Sequence, residues 1–332
     1  MYTFILTVLC VVLVFLAAFS YKEKKMNGIF LNSIDTPSNV NCPINKTLAK
    51  EGLDYFKTKK VIITGLLRNS SDTISVIKHN VTRISKLFKD YKVLVVENDS
   101  TDDTRARLLN WADENDKVTI LGCGVNVETC KLNLPKTGVK TKNDDKRIKK
   151  MIMIRNVYID YINNNYEQFN DFEYVICIDM DIKGTVYNDG MGISGYHFKT
   201  KPELDGMCAN GIHVFNMGFF NVSTYHDTYA HKDENDNKKI MKFDPIPDNF
   251  LNIGLNFSIS VQKCNTKNEL IPVRSCFNGF MIYRLSALKN NKYELTLDAY
   301  SNETECEHVQ FNRNLKHVYL NPFLIFVILK NK

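Results

Sequence analysis

Residues 174–181 read Tyr174-Val175-Ile176-Cys177-Ile178-Asp179-Met180-Asp181. A short run dominated by β-branched and apolar side chains, ending abruptly in acids, suits a strand buried on both faces. Two carboxylates leave its end at positions i and i+2, with only Met180 between them. In an open α/β sheet, ligands bind beyond the carboxyl ends of the strands, which is where this pair would stand. Oxygen donors so placed can hold a hard divalent cation, and such a cation can neutralise the charge of a departing diphosphate. The plain alternative is a pair of loop aspartates capping the next turn.

Moving outward, the same grammar repeats. Residues 61–67 form an apolar run that ends at Arg68-Asn69-Ser70, and Ile74, Ile77, Val81, Ile84 and Leu87 then recur at helical spacing. Residues 93–96 and 118–121 are two more buried-strand runs. Residues 136–150 are rich in Lys, Asn and Asp and predict a loop leading into a helix, with Ile148, Met151, Ile152, Tyr158, Tyr161 and Ile162 on one face. Strands alternating with helices predict an α/β fold: a mainly parallel central sheet with helices on both faces. There is no internal repeat, and residues 58–332 read as a single domain.

Other polar groups gather at the predicted strand ends. Glu97, Asn98 and Asp99 follow the 93–96 run, where a base or ribose could be recognised; Ser100 with Asp103 three residues on is also a plain helix-capping pattern. Arg155 falls on the apolar stripe of its helix, so it needs an anionic partner: a diphosphate, Asp179, or a purely structural acid. Arg68, closing the first strand, is open to the same two readings. Near the C-terminus, Asn278-Gly279 could let backbone approach a sugar. Glu307 could act as a base and His308 as a metal ligand, although a lone histidine beside Val309 is more often a packed core residue.

The 332 residues are 44% hydrophobic, enough for a large core. A net charge of +6 from 43 basic and 37 acidic residues, with no basic stripe or binding module, excludes nucleic acid as the expected partner. Residues 1–20 carry no charged side chain and predict a membrane-spanning signal anchor, with a cleaved signal peptide as the other reading. Lys22, Lys24 and Lys25 would by the positive-inside rule favour a cytosolic domain, against the lumenal placement expected here. The polar stretch 21–57 reads as a stem. Nine cysteines without CxxC spacing argue against a zinc module and permit disulfides, and seven Asn-x-Ser/Thr sequons suit a secretory chain.

Taken in order, Thr64-Gly65-Leu66-Leu67-Arg68-Asn69, Glu97-Asn98-Asp99-Ser100, Arg147, Arg155-Asn156 and Asp179-Met180-Asp181 resemble the donor half of GT-A glycosyltransferases. Tyr225-His226-Asp227, Ser275-Cys276-Phe277-Asn278-Gly279 and Glu305-Cys306-Glu307-His308 look most like the fungal capsule-associated α-1,3-mannosyltransferases. The resemblance covers about residues 60–315. It implies a Rossmann-like GT-A domain that moves a hexose, such as mannose, from a GDP- or UDP-sugar to a glycan or glycoprotein hydroxyl with Mn²⁺ or Mg²⁺. Thr64, Arg68, Glu97, Asn98, Asp99, Arg155, Asp179, Asn278 and Gly279 would then bind the nucleotide sugar. Asp179, Asp181 and His308 would hold the metal, with Asp227 and Glu307 beside the acceptor. Residues 190–202 and 224–247 would be acceptor loops, and the domain would face the ER or Golgi lumen. Two rival classes are a phosphotransferase or nucleotidyltransferase, for which 64–68 lacks a Gly-rich, Lys-bearing phosphate loop, and a membrane-anchored carbohydrate-binding or structural protein without catalysis.

Overall fold

The computed structural model describes residues 30–38, 40–122, 145–216, 221–236, 267–298 and 303–329, with scattered positions in 10–28 and 259–264. Its elements run β1 Val40–Asn41, α1 Lys46–Phe56, β2 Lys60–Leu67, α2 Ile74–Ser85, β3 Asp90–Glu97, α3 Thr104–Glu114, β4 Val118–Leu121 and α4 Asp145–Asn164. They continue with β5 Tyr174–Asp179, β6 Lys183–Val186, α5 Asn188–Thr200, β7 Gly206–Asn216, β8 Asn221–Tyr225, β9 Lys232–Asp233 and β10 Ile259–Ser260. The last are β11 Ile271–Ser275, β12 Phe280–Arg284, α6 Leu285–Leu288, α7 Glu307–Arg313 and β13 Val318–Leu329.

The main sheet is ordered β4-β3-β2-β5-β12-β7-β13-β11-β9, with β6 pairing to β13 and β8 to β7. Strands β4, β3, β2 and β5 are parallel, as the sequence pattern requires. From β5 onward the pairing changes: β12 runs antiparallel to both β5 and β7, and β11 antiparallel to β13. The arrangement is therefore GT-A-like α/β with a mixed sheet, which corrects the mainly parallel sheet expected above. Period-two alternation divides the strands between two cores. Val61, Ile63, Val93, Val95, Ile176 and Ile178 pack with α2 and α3, while Ile62, Leu94, Val96, Val175 and Cys177 pack with Ile154, Tyr158 and Ile162 of α4.

Two further expectations change. Residues 46–56, inside the predicted stem, form α1, with the Asn45 side chain accepting from the Thr47 and Leu48 N–H groups as N-cap. That helix packs on α5 so closely that a Cβ on Gly192 would stand 2.1 Å from the Ala49 carbonyl oxygen. Residues 190–202, expected as an acceptor loop, thus belong largely to α5, whose glycines serve helix contact. A Cys42–Cys264 disulfide ties the segment before α1 to the far part of the chain, and Cys208–Cys276 joins β7 to the turn before β12.

Most of residues 1–20 lies outside the described residues, as do 136–144 and 237–247 of the predicted loops. Among the described residues, no helix is long and apolar enough to cross a membrane.

Candidate active site

Strand β5 ends where the sequence places it, and Asp179 sits at its tip with its N–H donating to the Gly279 carbonyl at 2.9 Å. Gly279 has φ +78°, and a Cβ there would lie 2.6 Å from Phe326 and 3.6 Å from Asp179 Oδ2. Asn278, just before it, is also left-handed at φ +58°. The turn 276–279 therefore presses bare backbone against the Asp179 carboxylate, a position no other residue type fills without strain. Asn278 is wholly buried, and its side-chain N–H groups donate to the Ala209 carbonyl at 2.7 Å and the Tyr225 hydroxyl at 2.5 Å. The nitrogen is thus satisfied by protein and fixes the turn, while Oδ1 is buried without a hydrogen-bond partner.

Arg155 supplies the positive centre. It is 4% exposed, its Nε donates to Glu307 Oε1 at 3.0 Å, and its Nη2 lies 3.5 Å from Asp179 Oδ1. Of the partners open in the sequence, the structure gives it Asp179 and an acid 152 residues away. The guanidinium also lies 5.0 Å from the Phe277 ring centre and 5.9 Å from that of Tyr293. Asn156 fixes Tyr293 by accepting from its N–H and donating to its carbonyl, both at 2.9 Å. Burial works against the Arg155 charge, but Tyr158, Glu307, Tyr293 and Asp179 outweigh it and the guanidinium is held firmly protonated. Phe277 and Tyr293 were not legible as site residues. An aromatic gives no local sign that it will bracket a cation.

Around this cation the carboxylates are in excess. Burial pushes Asp179 up to about 7; Arg155 pulls the other way, and the charges of Asp181, Asp227 and Glu307 add to the rise. Asp227 is raised to about 6, first by burial and then by Glu307, against the pull of the Ala230 N–H, Arg155 and Arg147. Asp181 is exposed at the rim, yet partial loss of hydration in the cleft raises it too. Among the described residues one buried guanidinium, with the exposed Arg147 acting on Asp181 and Asp227, thus faces four acids, an electrostatic arrangement that a bound cation would relieve.

The expected metal ligands fit unequally. Asp179 and Asp181 are hard oxygen donors, and both carboxyls are raised above the usual carboxylate range, chiefly by burial. Burial and the Arg155 charge push the His308 imidazole well below its usual range, so it is neutral with a lone pair to give, and both ring nitrogens are buried without a hydrogen-bond partner. Its ring, however, is stacked on Phe277 at 3.9 Å. Among the described residues, no group of three or more His, Cys, Asp or Glu side chains is gathered in metal-ligand geometry. The structure brings the two aspartates together and leaves His308 stacked in the same cluster's floor.

The β2 and β3 loops contrast with this. Glu97 is fully buried, but Oε1 accepts from the Ser100 N–H at 2.7 Å and Oε2 from Arg105 Nε at 2.9 Å. The partner it needed lies in its own loop and helix. Ser100 does not cap a helix: its Oγ accepts from the Asn69 N–H at 3.0 Å, and α3 starts at Thr104 with Asp102 accepting from the Thr104 N–H at 3.0 Å. Asn69 Oδ1 in turn accepts from the Thr101 N–H at 2.8 Å. Asp99 holds the loop's left-handed corner at φ +51°. Asn98 is 4% exposed and its side-chain Nδ2 has no partner. Arg68 is exposed at the end of β2. Thr64 lies three residues before that end, wholly buried beside Leu94 and Cys177, with its hydroxyl left without a hydrogen-bond partner.

A βα array carrying paired acids at a central strand end offers oxygen donors to a hard cation where ligands bind in such sheets. Residues 60–317 match the family described as Cryptococcal mannosyltransferase 1, and the chain belongs to that family. A search of the curated proteins finds no match. Among solved structures, S. aureus TarS 1-349 in complex with UDP-GlcNAc is similar at 13% identity and TM-score 0.41, covering 83% of this chain and 59% of that one. GalNAc-T7 with UDP, GalNAc and Mn2+ is similar at 9% identity and TM-score 0.46, covering 82% and 44%. This chain spans less than two thirds of either protein, and at that distance neither says what it binds.

Proposed function

We propose that the protein transfers a hexose, mannose by its family, from a nucleotide diphosphate sugar to a hydroxyl of a glycan or glycoprotein, with Mn²⁺ or Mg²⁺. The observation that carries the reading is the convergence of Asp179, Asp181, Asp227 and Glu307 around the buried Arg155 at the end of β5. A metal held by Asp179 and Asp181 would supply the Lewis acidity that stabilises the departing diphosphate. Arg155 orients Asp179, and Glu307, bound to Nε, orients Arg155. Among the described residues no cation lies within salt-bridge distance of Asp227, and its raised pKa suits a group that takes a proton from an acceptor hydroxyl if the reaction inverts the anomeric centre. Glu307 is correspondingly less suited to that role than the sequence suggested.

The loops after β2 and β3 would receive the nucleoside, with the unpartnered Asn98 amide as a donor to it and Arg68 near the phosphates. Residues 1–20 would anchor the chain in the membrane and place the domain in the ER or Golgi lumen; the Cys42–Cys264 and Cys208–Cys276 disulfides support an oxidising compartment. The deciding test is calorimetric titration of the protein with GDP and with UDP, in Mn²⁺ and in EDTA, then with Asp181→Ala. Metal-dependent binding of GDP, lost in the variant, is the expected result. Tight binding of UDP instead would overturn mannose as the donor, and no metal-dependent binding of either would overturn the transfer reaction.

A further inference from the structure

The β7–β8 hairpin carries a pair of histidines that the donor chemistry does not use. Met281 of β12 pairs with Cys177 of β5 on one side and with Cys208 of β7 on the other. Asp179 and Asn210 therefore stand at about the same level, and β7 runs on to Asn216 beyond it. His213 lies three residues past that level, roughly 10 Å along the strand. β8 returns beside it, Tyr225 facing Ile212, and the His226 N–H donates to the Gly211 carbonyl at 2.9 Å.

Strand alternation fixes which way these rings face. Ile212 and Val214 point into an apolar cluster with Ile325, Val327 and Leu329, so Gly211 and His213 take the opposite face. That face is continuous with the site. Gly211 is the cross-strand partner of Phe326, and Phe326 packs on Gly279, which touches Asp179. A Cβ on Gly211 would also stand 3.1 Å from the Cβ of His226. The two imidazoles meet edge to face, 5.9 Å apart at 88°, both half-buried, and Asp227 follows His226 directly. In the sheet they lie on the β7 side of β5, away from the β2 and β3 loops.

We propose that His213 and His226 form the acceptor subsite and receive a neutral saccharide, holding its hydroxyl toward Asp227. The chemistry matches: imidazole offers both a hydrogen-bond donor or acceptor and a flat ring face, and a sugar presents hydroxyls around an apolar C–H surface. The inference rests on the glycosyltransfer reaction proposed above and gives it its second substrate.

The test uses the full chain with the nucleotide sugar that calorimetry selects, and a pool of neutral di- and trisaccharides of varied composition and linkage, mannosides included, as acceptors. Donor hydrolysis by water and transfer to saccharide are followed separately in wild type, His226→Ala, His213→Ala and the ring-retaining His226→Phe. The expected result is at least a tenfold rise in acceptor KM for the alanine variants, a partial rise for His226→Phe, and donor KM and melting temperature close to wild type. An unchanged acceptor KM overturns the subsite. So does equal loss of hydrolysis and transfer in well-folded variants, which would put the histidines in the donor machinery. A wild-type enzyme that hydrolyses donor but transfers to no saccharide in the pool overturns this acceptor class while leaving the donor reading intact. Failure of wild type to bind either nucleotide with metal removes the parent reading, and this inference with it.

Discussion

Two strand ends on the same edge of the sheet have been built to opposite standards. At the end of β3, the buried Glu97 carboxylate is met by the Ser100 N–H and Arg105, and the β2 and β3 loops interlock through Asn69, Ser100 and Thr101. At the end of β5, four acids surround one buried guanidinium, and three of them are pushed up toward neutrality. A polar network that completes itself rigidifies the fold, whereas one that remains short of charge is finished by something that binds. The comparison assigns scaffold to the first and chemistry to the second.

The sharpest way to break it is at the rim. Asp181→Ala should lower transfer by roughly 100-fold or more, since it removes a ligand to a charge worth several kcal/mol in the transition state. The melting temperature should barely move, because Asp181 is exposed. A stable variant that keeps full activity would show that the acids only cap a turn.

Arg155→Leu attacks the shared cation. Loss of one partner from a buried ion pair costs ~3–5 kcal/mol, so denaturant unfolding should show a large stability loss together with lost activity. Glu97→Gln should cost about 1–3 kcal/mol in the same assay, with nucleotide affinity nearly unchanged. If instead affinity collapses and stability holds, Glu97 contacts the nucleoside and the two strand ends are less different than the geometry indicates.

pH sharpens the contrast. Asp179 and Asp227 hold their protons in the folded state up to about 7 and about 6, far above the unfolded carboxyl. Between about pH 4 and 7 the folded chain therefore binds more protons than the unfolded one, so these groups make metal-free stability fall as pH rises. Thermal melts in EDTA should show that decline, and added Mn²⁺ should restore stability most at the upper end. The smallest effect belongs to the satisfied loop: Asn69→Ala, which loses the bond from the Thr101 N–H, should cost about 0.5–1.5 kcal/mol and leave activity near wild type.

What the sequence made legible was local. Residues 61–67, 93–96, 118–121 and 174–178 announce themselves because a strand buried on both faces needs an unbroken apolar run. The antiparallel half escaped for the converse reason: β13 gains its place from β6, β7 and β11, pairings between distant segments that no local pattern encodes. Helix α5 was hidden by Gly190, Gly192 and Gly195, which look like loop residues and are required by close backbone contact with Phe323, Ala49 and Gly52. At the site, the position of Arg155 on an apolar stripe foretold an acid without naming it. Glu307 is 152 residues away, and only the fold brings it there.

The way the N-terminal segment is fastened bears on what the enzyme can reach. Arg83 donates to the carbonyls of Leu31, Ser33 and Ile34, and Asp189 accepts from Thr36 and Lys46. Phe30 and Val40 lie on the side of β13 that carries Ile325, Val327 and Leu329, whereas Phe326 on its other side borders Asp179. Residues 30–40 are consequently bolted to the domain rather than trailing from it, so whatever direction the chain takes at Phe30 is fixed relative to the acidic cleft.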